Sequence, residues 1–233
     1  MLPRALAPLA ALLVFAPAAA AAEGDRLYSE SCIACHGPQG RGVAGSGPSL
    51  SGVGAAAVDF YLSTGLMPLD DPSEQPRRSD PAYTREEIDA LVDYVTGFGP
   101  GGPAIPEPQP NRGDVAAGME LYTDYCAGCH QMLGEGGVVV GAVAPELRDA
   151  TPVQIAEAVR VGPYVMPAFD EETISDAELD DVIAYVLYAR KPEDDGGWAI
   201  GHLGPIPEGL VAWFIGAAAL VLVAVAIGER ARR

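Results

Sequence analysis

Cys32-Ile33-Ala34-Cys35-His36 is a pentapeptide whose pattern this chain contains twice. Cys126-Ala127-Gly128-Cys129-His130 repeats the spacing C-x-x-C-H 94 residues later. This spacing is typical of c-type haem attachment, in which two cysteines bond to the porphyrin and the histidine binds the iron. The two pentapeptides use all four cysteines and two of the three histidines of the chain. The sequence therefore predicts two covalently bound haem c groups.

Other uses of paired cysteines fit the pattern less well. A zinc site usually adds a second pair after roughly 15–20 residues, and thiol redox motifs occur in a βαβ setting that this sequence does not predict. Two structural disulfides would suit an exported protein. None of these alternatives requires a histidine directly after each cysteine pair, so the pattern favours haem.

Length and charge limit the fold and the partners. The chain has 233 residues, enough for one or two domains. Its 32 acidic and 14 basic residues give a formal net charge of −18. Because phosphate binding needs a basic face, no nucleic-acid partner is expected.

Two segments of the chain repeat one another. At the offset of 94, the residues shared ahead of the haem motifs are Gly24, Leu27 and Tyr28 in the first copy and Gly118, Leu121 and Tyr122 in the second. Short helices are predicted near 55–64 and 153–161, the second opening at a capping box of Thr151 and Gln154. Each copy closes with a clearer helix, whose capping boxes are Thr84 with Glu87 and Ser175 with Glu178. The repetition predicts two copies of one small all-α unit.

Composition sets the predicted boundaries between segments. A stretch dense in proline and glycine separates the copies and favours a linker, and the proline-rich stretch 70–81 favours a surface loop. The predicted segments are 1–22 as a signal peptide or N-terminal anchor, 23–98 as the first haem domain, 99–112 as a linker, 113–191 as the second haem domain, 192–207 as a juxtamembrane linker, 208–228 as a transmembrane helix and 229–233 as a basic cytoplasmic tail.

Both ends of the chain carry apolar runs. Arg4, the apolar stretch Leu9–Phe15 and the small residues Ala18–Ala22 fit a cleaved signal peptide, although an uncleaved anchor has similar features. Leu210–Ile227 contains no charge, and basic residues follow it. Its length and flanks favour a membrane helix with a cytoplasmic C-terminus over a buried core helix, which would leave the haem domains outside the cell membrane.

The second axial ligand of each haem is predicted to be a methionine. Met67 and Met166 occupy matching places in the repeat, 31 and 36 residues after His36 and His130, and each precedes a proline. A methionine is otherwise a common filler of apolar cores. The third histidine, His202, lies beyond both units and has no assigned role.

Two prolines are candidates for holding the proximal histidines. Pro48 and Pro145 lie where a rigid turn could present a backbone carbonyl to the other ring nitrogen of His36 or His130. The alternative is that both prolines only shape a loop. With histidine and methionine on both irons, the chemistry is one-electron transfer with no open coordination site and no catalytic residue on this chain.

The chain resembles the dihaem cytochrome c subunit of actinobacterial-type cytochrome bc complexes, the quinol–cytochrome c reductases. The resemblance covers the two haem motifs, the C-terminal anchor and two further stretches, Gly47-Pro48-Ser49-Leu50-Ser51-Gly52-Val53-Gly54 and Gly204-Pro205-Ile206-Pro207-Glu208-Gly209. It implies two tandem class I cytochrome c-like domains. One departure is the basic N-terminal extension common in the family, because here only Arg4 precedes the apolar run.

The resemblance also implies partners. Such subunits take electrons from the Rieske iron–sulfur subunit of a menaquinol-oxidising complex that contains cytochrome b, and pass them to a haem–copper cytochrome oxidase in a supercomplex. Three other readings stay open: a free-standing membrane-tethered dihaem carrier, a cytochrome c subunit of a terminal oxidase, and a dihaem peroxidase. The last needs a displaceable iron ligand and further histidines.

Overall fold

Helices form nearly all of the regular structure in this computed structural model, which describes residues 16–69, 71, 73, 75–191 and 205–232. The helices are α1 (Ala16–Ser31), α2 (Ile33–His36), α3 (Ala55–Ser63), α4 (Arg85–Thr96), α5 (Val115–Tyr125), α6 (Ala127–His130), α7 (Pro152–Val161), α8 (Asp176–Ala189) and α9 (Pro205–Ala231). Most of the predicted signal peptide, His202 and most of the predicted juxtamembrane linker lie outside the described residues. The chain divides into two units, Met1–Lys191 and Pro192–Arg233.

The first and last helices of each repeat cross at a glycine. Helix α1 packs on α4 and α5 packs on α8. A methyl group on Gly24 would overlap the carbonyl oxygen of Ala90, and one on Gly118 would overlap that of Asp181. Only glycine lets the two backbones approach this closely. The repeat of Gly24 and Gly118 in the sequence therefore reflects the same helix crossing in both copies.

Each repeat has its own apolar core. The buried core of the first repeat consists of Leu27, Tyr28, Leu62, Ile88, Leu91, Val92 and Val95. The buried core of the second consists of Tyr122, Ala150, Ile155, Ala156, Val159, Ile174, Leu179, Val182, Ile183, Tyr185, Val186 and Ala189. Both cores include the tyrosine that the repeat places ahead of the haem motif.

All three predicted capping boxes are present. The backbone N–H of Glu87 donates to the Thr84 hydroxyl at 3.3 Å, and the Thr84 N–H donates back to the Glu87 carboxylate at 2.8 Å. The same reciprocal pairs open α7, with Thr151 and Gln154, and α8, with Ser175 and Glu178. The helix starts predicted from the sequence are therefore confirmed.

A small hairpin adds to the predicted all-α fold. Strands β1 (Gly137–Val139) and β2 (Ala142–Ala144) pair antiparallel, with Val138 opposite Val143. The run of β-branched valines favours extended backbone, and Gly141, at a φ of 82°, allows the tight turn between the strands. The hairpin lies between the second haem motif and Pro145. At the equivalent place before Pro48, the first repeat has a single antiparallel bridge, Val43 with Gly47.

The segment 75–78 of the first repeat reaches the second repeat. The side-chain amide of Gln75 makes two hydrogen bonds of 3.0 Å with the backbone of Val143, one donated and one accepted. The guanidinium of Arg78 donates to the Asp149 carbonyl at 3.0 Å and to the Gln154 amide oxygen at 2.8 Å. These contacts add to the packing of α3 against α7. The stretch expected to be a plain surface loop thus links the two repeats.

Helix α9 has the features of a membrane anchor. Its segment Gly209–Ala231 has 23 residues and a mean hydropathy of 2.8, and none of its most apolar stretch is buried. At 1.5 Å per residue it extends about 35 Å, enough to cross the apolar layer of a bilayer. The described part of the chain has one such helix, the candidate transmembrane helix at the C-terminus.

Candidate haem sites

Both haem motifs are built in the same way. Helix α1 ends just before Cys32 and α5 just before Cys126, and the short helices α2 and α6 carry the rest of each motif. All four cysteines are free thiols rather than disulfides. Burial, together with the neighbouring Cys35 and Cys129, raises the pKa of Cys32 and of Cys126 to about 11. The first cysteine of each motif is therefore a protonated thiol at neutral pH.

A proline carbonyl faces each proximal histidine. His36 Nδ1 lies 2.9 Å from the carbonyl oxygen of Pro48, and His130 Nδ1 lies 3.1 Å from that of Pro145. When Nδ1 donates to a carbonyl, the proton is fixed on that nitrogen and the lone pair of Nε2 points away from the bond. Burial lowers the pKa of His130, which favours the neutral form that binds metal. Nε2 is thus the atom available to iron.

A buried tyrosine fixes the residue after each motif. The Tyr28 hydroxyl donates to the Gly37 carbonyl at 2.7 Å, and the Tyr122 hydroxyl donates to the Gln131 carbonyl at 2.9 Å. Both tyrosines are 1% exposed. Gly37 and Gln131 both have a positive φ, 71° and 62°, so the chain turns sharply in the same place in each repeat. The repeat of Tyr28 and Tyr122 signals this role, which sequence reasoning missed.

The two candidate methionines sit against the two cores. Met67 is half-buried beside the first core and Met166 beside the second. The Met67 N–H donates to the Tyr61 carbonyl at 3.0 Å, and the Met166 N–H donates to the Pro163 carbonyl at 3.0 Å. Each methionine thus follows the last turn of α3 or α7 on a loop tied back to the preceding residues.

Arg160 anchors the loop that carries Met166. Its guanidinium donates to the carbonyls of Phe169 and Ile174, at 3.0 and 2.7 Å, and pairs with Asp176 at 2.7 Å. The first repeat holds its loop differently, because the Ser79 hydroxyl donates to the Gly65 carbonyl at 2.9 Å. No sequence signal marks Arg160 as a positioning residue, since it reads as an ordinary charged residue near a helix end.

Tyr61 connects the two methionine loops. Its carbonyl accepts the Met67 N–H, while its phenol oxygen lies against the backbone of Tyr164, two residues before Met166. Burial raises the pKa of the Tyr61 phenol. One side chain of the first repeat therefore touches the ligand loop of the second.

The residues present fit covalently bound haem. Each site combines two free thiols, a histidine whose Nδ1 is engaged, and a methionine on a tethered loop beside an apolar core. Sulfur and imidazole are the ligands that cytochromes c use for iron. The thiols Cys32, Cys35, Cys126 and Cys129 would hold the porphyrin, and His36, Met67, His130 and Met166 would hold the iron.

Two family models match the two repeats. Residues 21–98 match the cytochrome c family, and residues 113–186 match the family described as cytochrome C oxidase, cbb3-type, subunit III. Both are cytochrome c domains, which confirms the predicted fold of two such domains followed by a C-terminal membrane helix. Cytochrome c domains carry covalently bound haem c, and this chain is a cytochrome c electron carrier.

Curated relatives cover most of the chain. The cytochrome bc1 complex cytochrome c subunit of Mycobacterium bovis is 39% identical over 95% of this chain and 85% of its own length. That of Corynebacterium diphtheriae is 38% identical over 89% and 80%. The cbb3-type cytochrome c oxidase subunit CcoP of an Azospirillum species is 30% identical over 72% and 61%.

Among solved structures, a chain of the reducing HAO-like protein complex of Kuenenia stuttgartiensis covers 72% of this chain and 95% of its own, at 17% identity and a TM-score of 0.38. That likeness is too weak to carry an argument. The sequence relationship is decisive instead, because it extends through both haem domains. The chain belongs to the family of cytochrome bc1 complex cytochrome c subunits.

Proposed function

We propose that this chain passes single electrons from the Rieske iron–sulfur subunit of a menaquinol-oxidising cytochrome bc complex to a haem–copper oxidase. The observation that carries the proposal is the duplicated site: two thiol pairs, two carbonyl-held histidines and two tethered methionines in one chain. When bound, each haem supplies a ferric–ferrous couple. The family supports a place in a quinol–cytochrome c reductase, an oxidoreductase complex with a cytochrome b subunit.

The chain's own residues serve electron transfer rather than turnover. The prolines Pro48 and Pro145 orient the histidines, and Arg160 and Tyr61 hold the methionine loops in place. Fixed ligands need little rearrangement when the iron changes charge, which suits fast outer-sphere transfer. We therefore expect no substrate pocket on this chain, and quinol oxidation belongs to the complex.

The charges at the end of α9 support the proposed membrane orientation. Its basic end, Glu229-Arg230-Ala231-Arg232-Arg233, favours the cytoplasmic side, because basic residues are retained there. The haem domains would then lie outside the cell membrane, next to membrane lipid and the partner subunits. This placement also suits c-type haem, which is attached outside the cytoplasm.

Purification from membranes tests the proposal. A tagged full-length chain, extracted in mild detergent, should co-purify with a cytochrome b and a Rieske subunit, and the bound haem c should become reduced when quinol is added.

The second candidate function is a cytochrome c subunit of a terminal oxidase, favoured by the match of residues 113–186 and by the Azospirillum relative. Co-purification of an oxidase core without cytochrome b would select that alternative.

A further inference from the structure

The interface between the two haem domains buries two carboxyl groups that the haem sites do not use. Asp59 on α3 is 4% exposed and Glu157 on α7 is 0% exposed. The two helices pack against each other, and the carboxyl groups are within hydrogen-bonding reach of one another. An ionised carboxylate loses its hydration on burial, so such groups are normally paired with a cation or hydrogen-bond donors. Here two acids face each other.

A single cation lies at this pair in the part of the chain that the structure describes. Arg85 on α4 forms ion pairs with the buried Asp59 and with the exposed Asp89. Neither carboxyl oxygen of Glu157 has a hydrogen-bond donor among the described residues. The positive charge of Arg85 therefore balances Asp59, and Glu157 is left without a cation of its own.

A proton bound by one of the two carboxyl groups would let them hydrogen-bond to each other. Two carboxylates can only accept hydrogen bonds, whereas a protonated carboxyl can donate one to its neighbour. Burial and the adjacent Asp59 raise the pKa of Glu157 to about 9, although Arg85 opposes the rise. Glu157 is therefore protonated at neutral pH and can donate to Asp59, the carboxyl group that pairs with Arg85.

The other charged or titratable groups on α3, α4 and α7 are exposed or engaged elsewhere. Glu86 and Asp93 of α4 are exposed to solvent. The contacts of the remaining groups, and of the nearby Arg78, are Asp89 with Arg85, Tyr94 with Asp25, Arg160 with Asp176, Arg78 with Gln154, Glu87 with the Thr84 backbone, and Tyr61 with the Tyr164 backbone. The ionisation of Glu157 consequently depends on Asp59 and Arg85 alone among these groups.

Short stretches of backbone connect the Asp59–Glu157 pair to the methionine loops of both haem sites. Asp59 lies two residues before Tyr61, which contacts both methionine loops. Glu157 lies two residues before Val159, whose carbonyl accepts the Phe169 N–H of the Met166 loop at 2.8 Å. We propose that Asp59 and Glu157 form a proton-binding site shared by the two haem domains, and that haem reduction strengthens its hold on the proton.

Haem reduction and proton binding by the Asp59–Glu157 pair are linked through charge. An electron that arrives on either iron lowers the local positive charge by one, which makes loss of the proton less favourable. Between the pH at which the oxidised protein loses the proton and the higher pH at which the reduced protein loses it, reduction of the coupled haem draws up to one proton from solvent onto the pair. The inference rests on the proposed function, because it requires haem in both domains.

A redox titration tests this coupling in the full-length protein in detergent. Between about pH 6 and about pH 10, which spans the raised pKa of Glu157, the midpoint potential of at least one haem should fall at the alkaline end. The fall is at most about 59 mV per pH unit, the value of a tenfold change for one electron. Glu157→Gln and Asp59→Asn should both abolish it. Glu120→Gln, the same change at an exposed position of α5, should leave it intact.

A second readout does not depend on electron transfer. Infrared spectra of the oxidised protein should show a protonated carboxyl band at neutral pH that disappears at alkaline pH and is missing in Glu157→Gln. If the unmodified protein shows neither this band nor an alkaline fall, or if Glu157→Gln keeps both, the inference is overturned. A chain with normal haem and no alkaline fall refutes only this inference, whereas a chain without haem refutes the proposed function.

Discussion

At the level of single residues, the two haem sites share their proximal side and differ on the methionine side. Both histidines meet a proline carbonyl, at 2.9 and 3.1 Å. The Met166 loop is held by the three bonds of Arg160, whereas the Met67 loop depends on Tyr61 and on the hydroxyl of Ser79. The two candidate distal ligands, Met67 and Met166, should therefore respond to different mutations.

Replacing Arg160 with alanine should loosen one methionine and leave the other in place. Its side chain is nearly buried, 9% exposed, and two backbone carbonyls would lose their donor at about 1–3 kcal/mol each. We expect the potential of the second haem to fall, because the methionine sulfur that raises it binds less firmly. Redox titration of the purified protein measures this.

Arg148→Ala is the matched control, because Arg148 is 70% exposed and its one ion pair among the described residues is with Glu146, two positions earlier. It removes the same charge from the same domain and should leave both potentials within error of the original. Equal shifts in the two variants would mean that net charge, and not loop position, sets the potential.

The sequence was most informative where a residue pattern has few possible functions in proteins. The C-x-x-C-H pattern predicted the haem domains, and the proline carbonyls lie within hydrogen-bonding distance of the histidines, although iron ligation itself stays a prediction. Arg160 and Tyr61 could not be found in this way, since a charged residue or a tyrosine on a helix has many roles. Their contacts depend on how loops distant in sequence come together.

At the level of helices and strands, the capping boxes predicted where α4, α7 and α8 begin, whereas the helix crossings at Gly24 and Gly118 emerged only from the structure. The hairpin β1–β2 was not predicted, because its strands have three residues each. Alternation of apolar and polar residues indicates a strand only over about four to eight residues.

Substitution of Gly118 by alanine tests the helix crossing. The added methyl group meets the carbonyl oxygen of Asp181, a backbone atom that cannot rotate away. We expect a loss of at least about 1–3 kcal/mol in the free energy of unfolding, the usual cost of overpacking. Gly128→Ala is the control, because a methyl group there meets nothing within 4 Å and the first haem motif has Ala34 in that place. Similar losses in denaturant unfolding of both variants would contradict the assignment.

The buried carboxyl on α7 makes stability depend on pH. The pKa of Glu157 is raised to about 9 from an ordinary value of 4.5, so between these values the native state holds a proton that the unfolded chain has released. This contribution is present in full below about pH 4.5 and is lost as pH rises toward about 9, at no more than about 1.4 kcal/mol per pH unit. Glu157→Gln cannot ionise and should gain stability relative to the original protein as pH rises. Parallel unfolding curves for the two proteins from neutral to alkaline pH would contradict this.

At the level of the whole molecule, the two haem domains are held together by the α3–α7 packing and by segment 75–78. The linker contributes as well, since the Ala56 N–H donates to the Pro103 carbonyl at 3.1 Å and the Gln109 N–H donates to Asp180 at 2.6 Å. From composition, the linker was predicted only to separate the two domains. A proline- and glycine-rich segment carries no sequence signal for the surface that it will contact, so these hydrogen bonds could not be predicted.

Removal of the Arg78 side chain should loosen the link between the domains. Two hydrogen bonds from a charged donor are lost, each worth at most about 1.5–3 kcal/mol net, and less here because Arg78 is exposed to solvent. Amide hydrogen exchange should rise at the start of α7 and in residues 75–81, with both haem spectra unchanged. Arg77→Ala, at the neighbouring exposed arginine, should leave exchange as it was, and a rise in both variants would show that charge alone governs the effect.

The electron-transfer function proposed for this chain depends on two covalent haems, each held by its own C-x-x-C-H motif. Their number can be read from the intact mass of the chain purified from membranes, compared with that of Cys126→Ser/Cys129→Ser. The mass should be increased by two haems in the first protein and by one in the second. A mass without haem, or the same haem count in both proteins, would contradict this assignment.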